Sequence, residues 1–194
     1  MFASDPKARA DLKPGALYAL FGESDLIYYG QVTPDEKIGF FHRRDHEVAE
    51  PATILATPIM SIVSLWVPTI GLALRAGHWK KLGRFEVAEG LRLRAPAVQW
   101  PVGTLTVTVC DGAKPPYETR VDDPAIQDFE VMSVWDAEEH IPARLTADFG
   151  VEEAEWHVGG PVRRERKVKE ALARRFPGAP WHKLPHDWVS TDVR

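Results

Sequence analysis

Two histidine-carboxylate clusters have residue types that can ligate a metal: His42 and His46 flank Asp45, and His182 and His186 precede Asp187. Imidazoles four residues apart converge only on a helix. His42 closes a run with strand alternation, and Pro185 biases Leu184 away from helical geometry, so both clusters read as solvated surface histidines. The adjacent carboxylates Asp122-Asp123, Glu138-Glu139 and Glu152-Glu153 diverge in helix and strand alike and make no acid-base dyad by themselves. Nucleophile elbow, HExxH helix, phosphate-binding loop and dinucleotide fingerprint are all missing, and none of the six serines sits in a glycine-flanked strand-to-helix turn. Cys110 is the single cysteine, which excludes an intrachain disulfide and a cysteine-based zinc site and fits a reducing cytoplasm. The residues assign no catalytic group, no metal and no cofactor.

Charge is segregated along the chain, whose net charge is −4. Residues 118–155 hold twelve carboxylates against two arginines, and residues 156–194 hold nine Lys/Arg against four acids. The acidic stretch is either a solvated face or a docking surface for a basic protein such as a nuclease, whose encounter opposite charge would speed. On the second reading Asp122, Asp123, Asp128, Glu138 and Glu139 are the contact residues. In the basic stretch, a helix over 161–175 gathers Arg163, Arg166, Lys167 and Arg174 opposite Val168, Ala171, Leu172 and Phe176. No aromatic platform interleaves with those charges in the sequence, so the helix is expected to dock on its acidic neighbour or face water rather than bind nucleic acid or an anionic membrane.

The elements that position these residues read as mainly β. The run 59–82 is the most apolar in the chain, and its start, 59–67, predicts a central strand covered on both faces. Residues 51–74 contain no charge and reach the length of a membrane span, yet Pro58, Pro68, five hydroxyls and β-branched content favour buried sheet. Strands are expected at 16–21, 26–32 and 38–42 as an antiparallel meander rich in aromatics, then at 54–67, 91–94, 104–109 and 129–135. A helical turn fits 69–75, and Asp136 is a candidate N-cap for a helix over 137–148. The fold class is mainly β or α+β: a curved antiparallel sheet or partly open barrel, one or two covering helices and a C-terminal helical appendage. Residues 1–13 read as loosely ordered and without a secretory signal, 14–157 as the β-rich domain, and 158–194 as a basic helix and Trp-containing tail packed on it.

Several of these stretches together resemble one known family. They are a Pro14-Gly15 start before a Tyr-Ala-Leu strand, Tyr29-Gly30 with Val32, the apolar strand, Gly77-His-Trp79-Lys-Lys-Leu-Gly83, Pro96, and Phe129-Glu130 with Val134-Trp135, Ile141 and Arg144-Leu145. The pattern over 14–149 resembles the immunity protein 26 family of bacterial polymorphic-toxin systems. The resemblance implies a mostly β intracellular protein that binds and neutralises a cognate toxin by stoichiometric surface occlusion, without catalysis, cofactor or membrane partner. Bottom-up, Gly77 and Gly83 permit turn geometry, Trp79 buries a large ring, and Lys80 and Lys81 stay solvated. Two alternatives stay open: a small ligand-binding or enzymatic β-barrel, which a deep polar cavity would favour, and a nucleic-acid-binding module built on the C-terminal helix.

Overall fold

The computed structural model describes residues 1–112, 114–150 and 159–191; Glu152 and Glu153 lie outside them. In chain order the first half forms β1 (Ala16–Phe21), β2 (Ile27–Val32), β3 (Ile38–Asp45), α1 (Pro51–Leu55), β4 (Ile59–Leu65), α2 (Val67–Ala76) and β5 (Trp79–Arg84). The second half forms β6 (Ala97–Gln99), β7 (Thr106–Cys110), β8 (Tyr117–Arg120), β9 (Glu130–Val131), β10 (Val134–Trp135), α3 (Ile141–Asp148) and α4 (Val162–Arg175). The fold is α+β with a mainly sheet core, in two mixed sheets ordered β10-β4-β3-β2-β1-β5 and β8-β7-β6-β9, neither closed into a barrel. Among the described residues no helix is long and apolar enough to cross a membrane.

The chain divides into two compact units, Met1–Arg94 with Ser133–Val158, and Ala95–Met132 with Gly159–Arg194. This grouping differs from a 14–157 domain carrying a 158–194 appendage, because α4 shares a core with β6 and β7 through Val162. In the first unit the meander forms as its alternation predicts, Tyr18 opposite Gly30 and Gly30 opposite Phe40. One face of the six-stranded sheet presents Tyr18, Leu20, Tyr28 and Phe40 to α2 and α3, and the other presents Leu17, Ala19, Tyr29 and Phe41 to Ile54 and Leu91. Period-two alternation in β1 and β2 therefore serves two cores at once.

Five expectations are corrected. The most deeply buried strands are β1 and β2, whereas β4 is mostly half-buried and begins only at Ile59. Pro51 starts a short helix over residues expected to open that strand, since proline suits a first helical turn. The 91–94 alternation makes no strand: Leu91 ends a 3-10 turn and fills the space over Gly39, and Leu93 projects outward. The 129–135 run is two short strands, β9 on β6 and β10 on β4, which fall in different units. Residues 1–13 are tied down: Phe2 donates its N–H to Gly77, the Tyr18 hydroxyl both accepts from and donates to the Asp11 backbone, and Ala8, Ala10 and Leu12 pack on the core.

Candidate functional site

In the first unit a knot of backbone bonds shapes one sheet edge. Trp66 closes β4 and precedes Pro68 in the first turn of α2; its N–H donates to the Trp135 carbonyl at 2.9 Å, and its own carbonyl accepts from the Thr69 hydroxyl at 2.7 Å. That hydroxyl in turn accepts from the Ala137 N–H at 2.9 Å. With the backbone spent inward, the Trp66 side chain is turned out and the residue stands 59% exposed, next in sequence to Val67, while Val134, paired with Ser64 on the edge strand β10, is 66% exposed. Behind the edge, Arg144 donates Nε to both oxygens of Asp148 at 2.9 and 2.8 Å, and its guanidinium lies 4.9 Å from the Trp135 ring centroid. A buried ion pair and a cation-π contact thus hold the inner ring of the edge in place.

The carboxylates singled out from the sequence do not share one surface. Glu138 and Glu139 belong to the first unit, in the loop entering α3: the Asp136 carboxylate accepts both of their N–H groups, at 2.8 and 2.9 Å. Asp136 therefore caps this loop, and the helix itself starts later, at Ile141. Glu138 pairs with His78 at 3.0 Å, and Glu139 is exposed. Asp122, Asp123 and Asp128 belong to the second unit and serve it locally. Asp122 pairs with Arg120 at 2.9 Å, and Asp128 pairs with Arg163. Asp123 accepts the Ala125 N–H and the Thr119 hydroxyl, in that order of weight, and both bonds hold its carboxyl below the ordinary value. Sequence proximity raised their charge density, but each of these three is committed to a turn or an ion pair.

Gly77, Trp79 and Gly83 build a structural joint. Gly77 ends α2 at φ +81°, where a Cβ would fall 2.5 Å from the Phe2 carbonyl oxygen. Trp79 is buried with its ring 5.7 Å from that of Tyr18. Gly83 is inside β5, at a bulge rather than in the turn expected: Leu17 pairs with Gly83 and Tyr18 with Lys81, so Leu82 is the extra residue. Lys81 reaches Asp11, and this bond foremost holds the Asp11 carboxyl down at about 2.

The second unit contains a cavity of about 390 Å³ that the sequence did not suggest. Its origin is the roll of α4. The helix buries the stripe Val162, Arg166 and Glu170 instead of the apolar one, with Arg166 only 7% exposed and Glu170 only 4%. Arg166 donates to the Gln127 side chain and to the Val189 carbonyl, both at 2.8 Å. Burial works against the Glu170 carboxylate, but bonds from Thr191 and from the Trp188 indole outweigh it and hold the carboxyl below its ordinary value. Leu172, on the apolar side opposite the basic residues, lines the cavity, and Phe176 is exposed. The missed signal lies in the tail: Trp188 and Thr191 supply the donors that make a buried glutamate tolerable.

The histidines are placed by aromatic contacts. His42 stacks on Phe149 at 4.6 Å and Asp45 is taken by Arg43, while His186 pairs with its neighbour Asp187. His182 stacks on Phe176 at 5.6 Å and lines the cavity, a more specific place than open surface. Among the described residues no group of three or more His, Cys, Asp or Glu side chains is arranged to hold a metal ion. Compared with known proteins, the chain matches no family model, no curated protein and no solved structure.

Proposed function

We propose that this chain is an intracellular binding protein that neutralises a cognate, basic protein toxin by covering part of its surface, without turnover. The reading joins the immunity protein 26 resemblance to one observation: Trp66 is held outward on a sheet edge with Val67 and Val134. Exposed tryptophan on a rigid support is the residue type that dominates protein interfaces, because a large ring is buried at little entropic cost. Glu138 and Glu139 enter from the loop bonded to the same turn of α2, and their charge would draw a basic partner. Asp122, Asp123 and Asp128 are secondary candidates in this proposal, since local partners already hold them.

The test is a search of the adjacent genes for a toxin domain, followed by co-expression of such a gene with this one, reading growth rescue and the affinity of the purified pair; neighbouring genes without a toxin domain would count against the reading. Trp66→Ala is expected to weaken binding by about 30-fold or more, the loss of a hot-spot side chain worth about 2 kcal/mol. Glu139→Lys is expected to slow association and flatten its salt dependence. Rescue and affinity unchanged by Trp66→Ala would remove the edge as the contact surface, and absence of rescue by the unaltered chain would remove the toxin reading itself.

A further inference from the structure

Independently of the sheet edge in the first unit, we infer that the cavity of the second unit is a binding site for a nucleoside phosphate, taken free or as a unit of a single-stranded nucleic acid. Three features carry this. The walls are flat and apolar: the Trp100 and Trp188 rings are stacked at 6.1 Å with 15° between their planes, and Trp181, 78% exposed, lies on the same cavity. Both inner indoles are fixed before any ligand arrives, because Trp100 donates its N–H to the Thr104 carbonyl at 3.0 Å and Trp188 donates to Glu170 at 2.8 Å. Against this fixed wall the exposed ring of Trp181 has a face to offer a base, and base-aromatic stacking is worth about 1–3 kcal/mol per base.

The charge of the cavity has one sign. Lys169 and Lys183 line it, and no carboxylate does among the described residues. The Lys169 ammonium lies over the Trp100 ring, 4.8 Å from its centroid, so a cation stands directly on the aromatic wall. Glu170, the acid nearest in sequence, directs its carboxylate to Trp188 and Thr191. An aromatic platform alone would suit a sugar or an apolar ring; lysines beside it specify a ring that carries negative charge. The cavity volume of about 390 Å³ is in the range of small-molecule pockets and suits one nucleotide. Leu172 of α4 completes the apolar wall.

Isothermal titration calorimetry on the full chain tests the site with uridine monophosphate, uridine and an eight-residue oligothymidylate. Saturable binding of the monophosphate is expected, with uridine weaker by about tenfold or more because it lacks the charge. Lys183→Ala and Trp181→Ala, both at exposed positions, are expected to weaken it by about fivefold or more with an unchanged far-ultraviolet dichroism spectrum. An oligothymidylate that binds about tenfold tighter than the monophosphate, with affinity falling steeply with salt, assigns the site to single strands. Equal affinities assign it to free nucleotides. Uridine binding as well as its monophosphate, no saturable heat with any of the three at millimolar concentration, or affinities untouched by both substitutions would each overturn the inference.

Discussion

Two tyrosines on adjacent strands do the same work at the residue scale. Tyr18 holds the Asp11 backbone by its hydroxyl, and Tyr29 bonds the Glu47 carbonyl and the Ala49 N–H in the same way. Burial, the largest cause in both, pushes each phenol up to about 12. A raised phenol pKa favours the neutral form in the folded state, so this stability is complete below about pH 10 and is lost as pH rises from there towards about 12. Absorbance at 295 nm should show two phenols of the native protein ionising late, with the urea midpoint falling over the same interval; phenolate formation complete by about pH 11 in the folded protein would contradict it. At Gly77, alanine would have to take φ +81° with its Cβ against Phe2. Gly77→Ala should cost at least about 1 kcal/mol in urea unfolding, and a neutral result would mean that the residue 1–13 segment can move aside.

At the scale of elements, α4 and the 129–135 run depart furthest from their patterns. Periodicity identified α4 and its bounds within a residue or two, and Arg163 does pair with Asp128 of the acidic stretch, but the spacing of residues around a helix cannot register that Trp188, Thr191 and Gln127 will solvate buried charges on Arg166 and Glu170. A pair of substitutions separates the two faces. Glu170→Ala leaves the Trp188 and Thr191 donors without their acceptor and should cost about 2 kcal/mol, whereas Leu172→Ala, on the cavity wall, should cost below about 1 kcal/mol. The opposite order in thermal or urea unfolding would restore the apolar face as the packed one. The 129–135 run was legible as strand, but nothing in seven apolar-rich residues says that Val131 will pair with Val98 and Val134 with Ser64. Pairing is decided by what lies alongside, and the interruption at 132–133 is where the chain passes between units.

For the whole molecule, each unit is assembled from two separated pieces of chain, and each has its own core. The second unit joins Val98, Val107, Val109, Val121 and Ile126 to Val162 of α4. A chain ending at residue 158 should therefore lose more than an appendage: it should expose that cluster, bind a hydrophobic dye and show reduced sheet signal. A truncated protein as well ordered over 95–132 as the full chain, by amide exchange, would refute the shared core. The sequence by itself determined what is local: the β1–β3 meander, the αL glycine after α2, Trp79 as a core ring, and the helix that follows Pro161, all of which follow from side-chain period and backbone sterics within a few residues. Tertiary structure alone decided that the chosen carboxylates would divide between two units, that Trp66 would face outward, and that Trp100 and Trp188, distant in sequence, would stack beside Lys169. Those outcomes depend on contacts between residues far apart in the chain, where no local pattern carries the information.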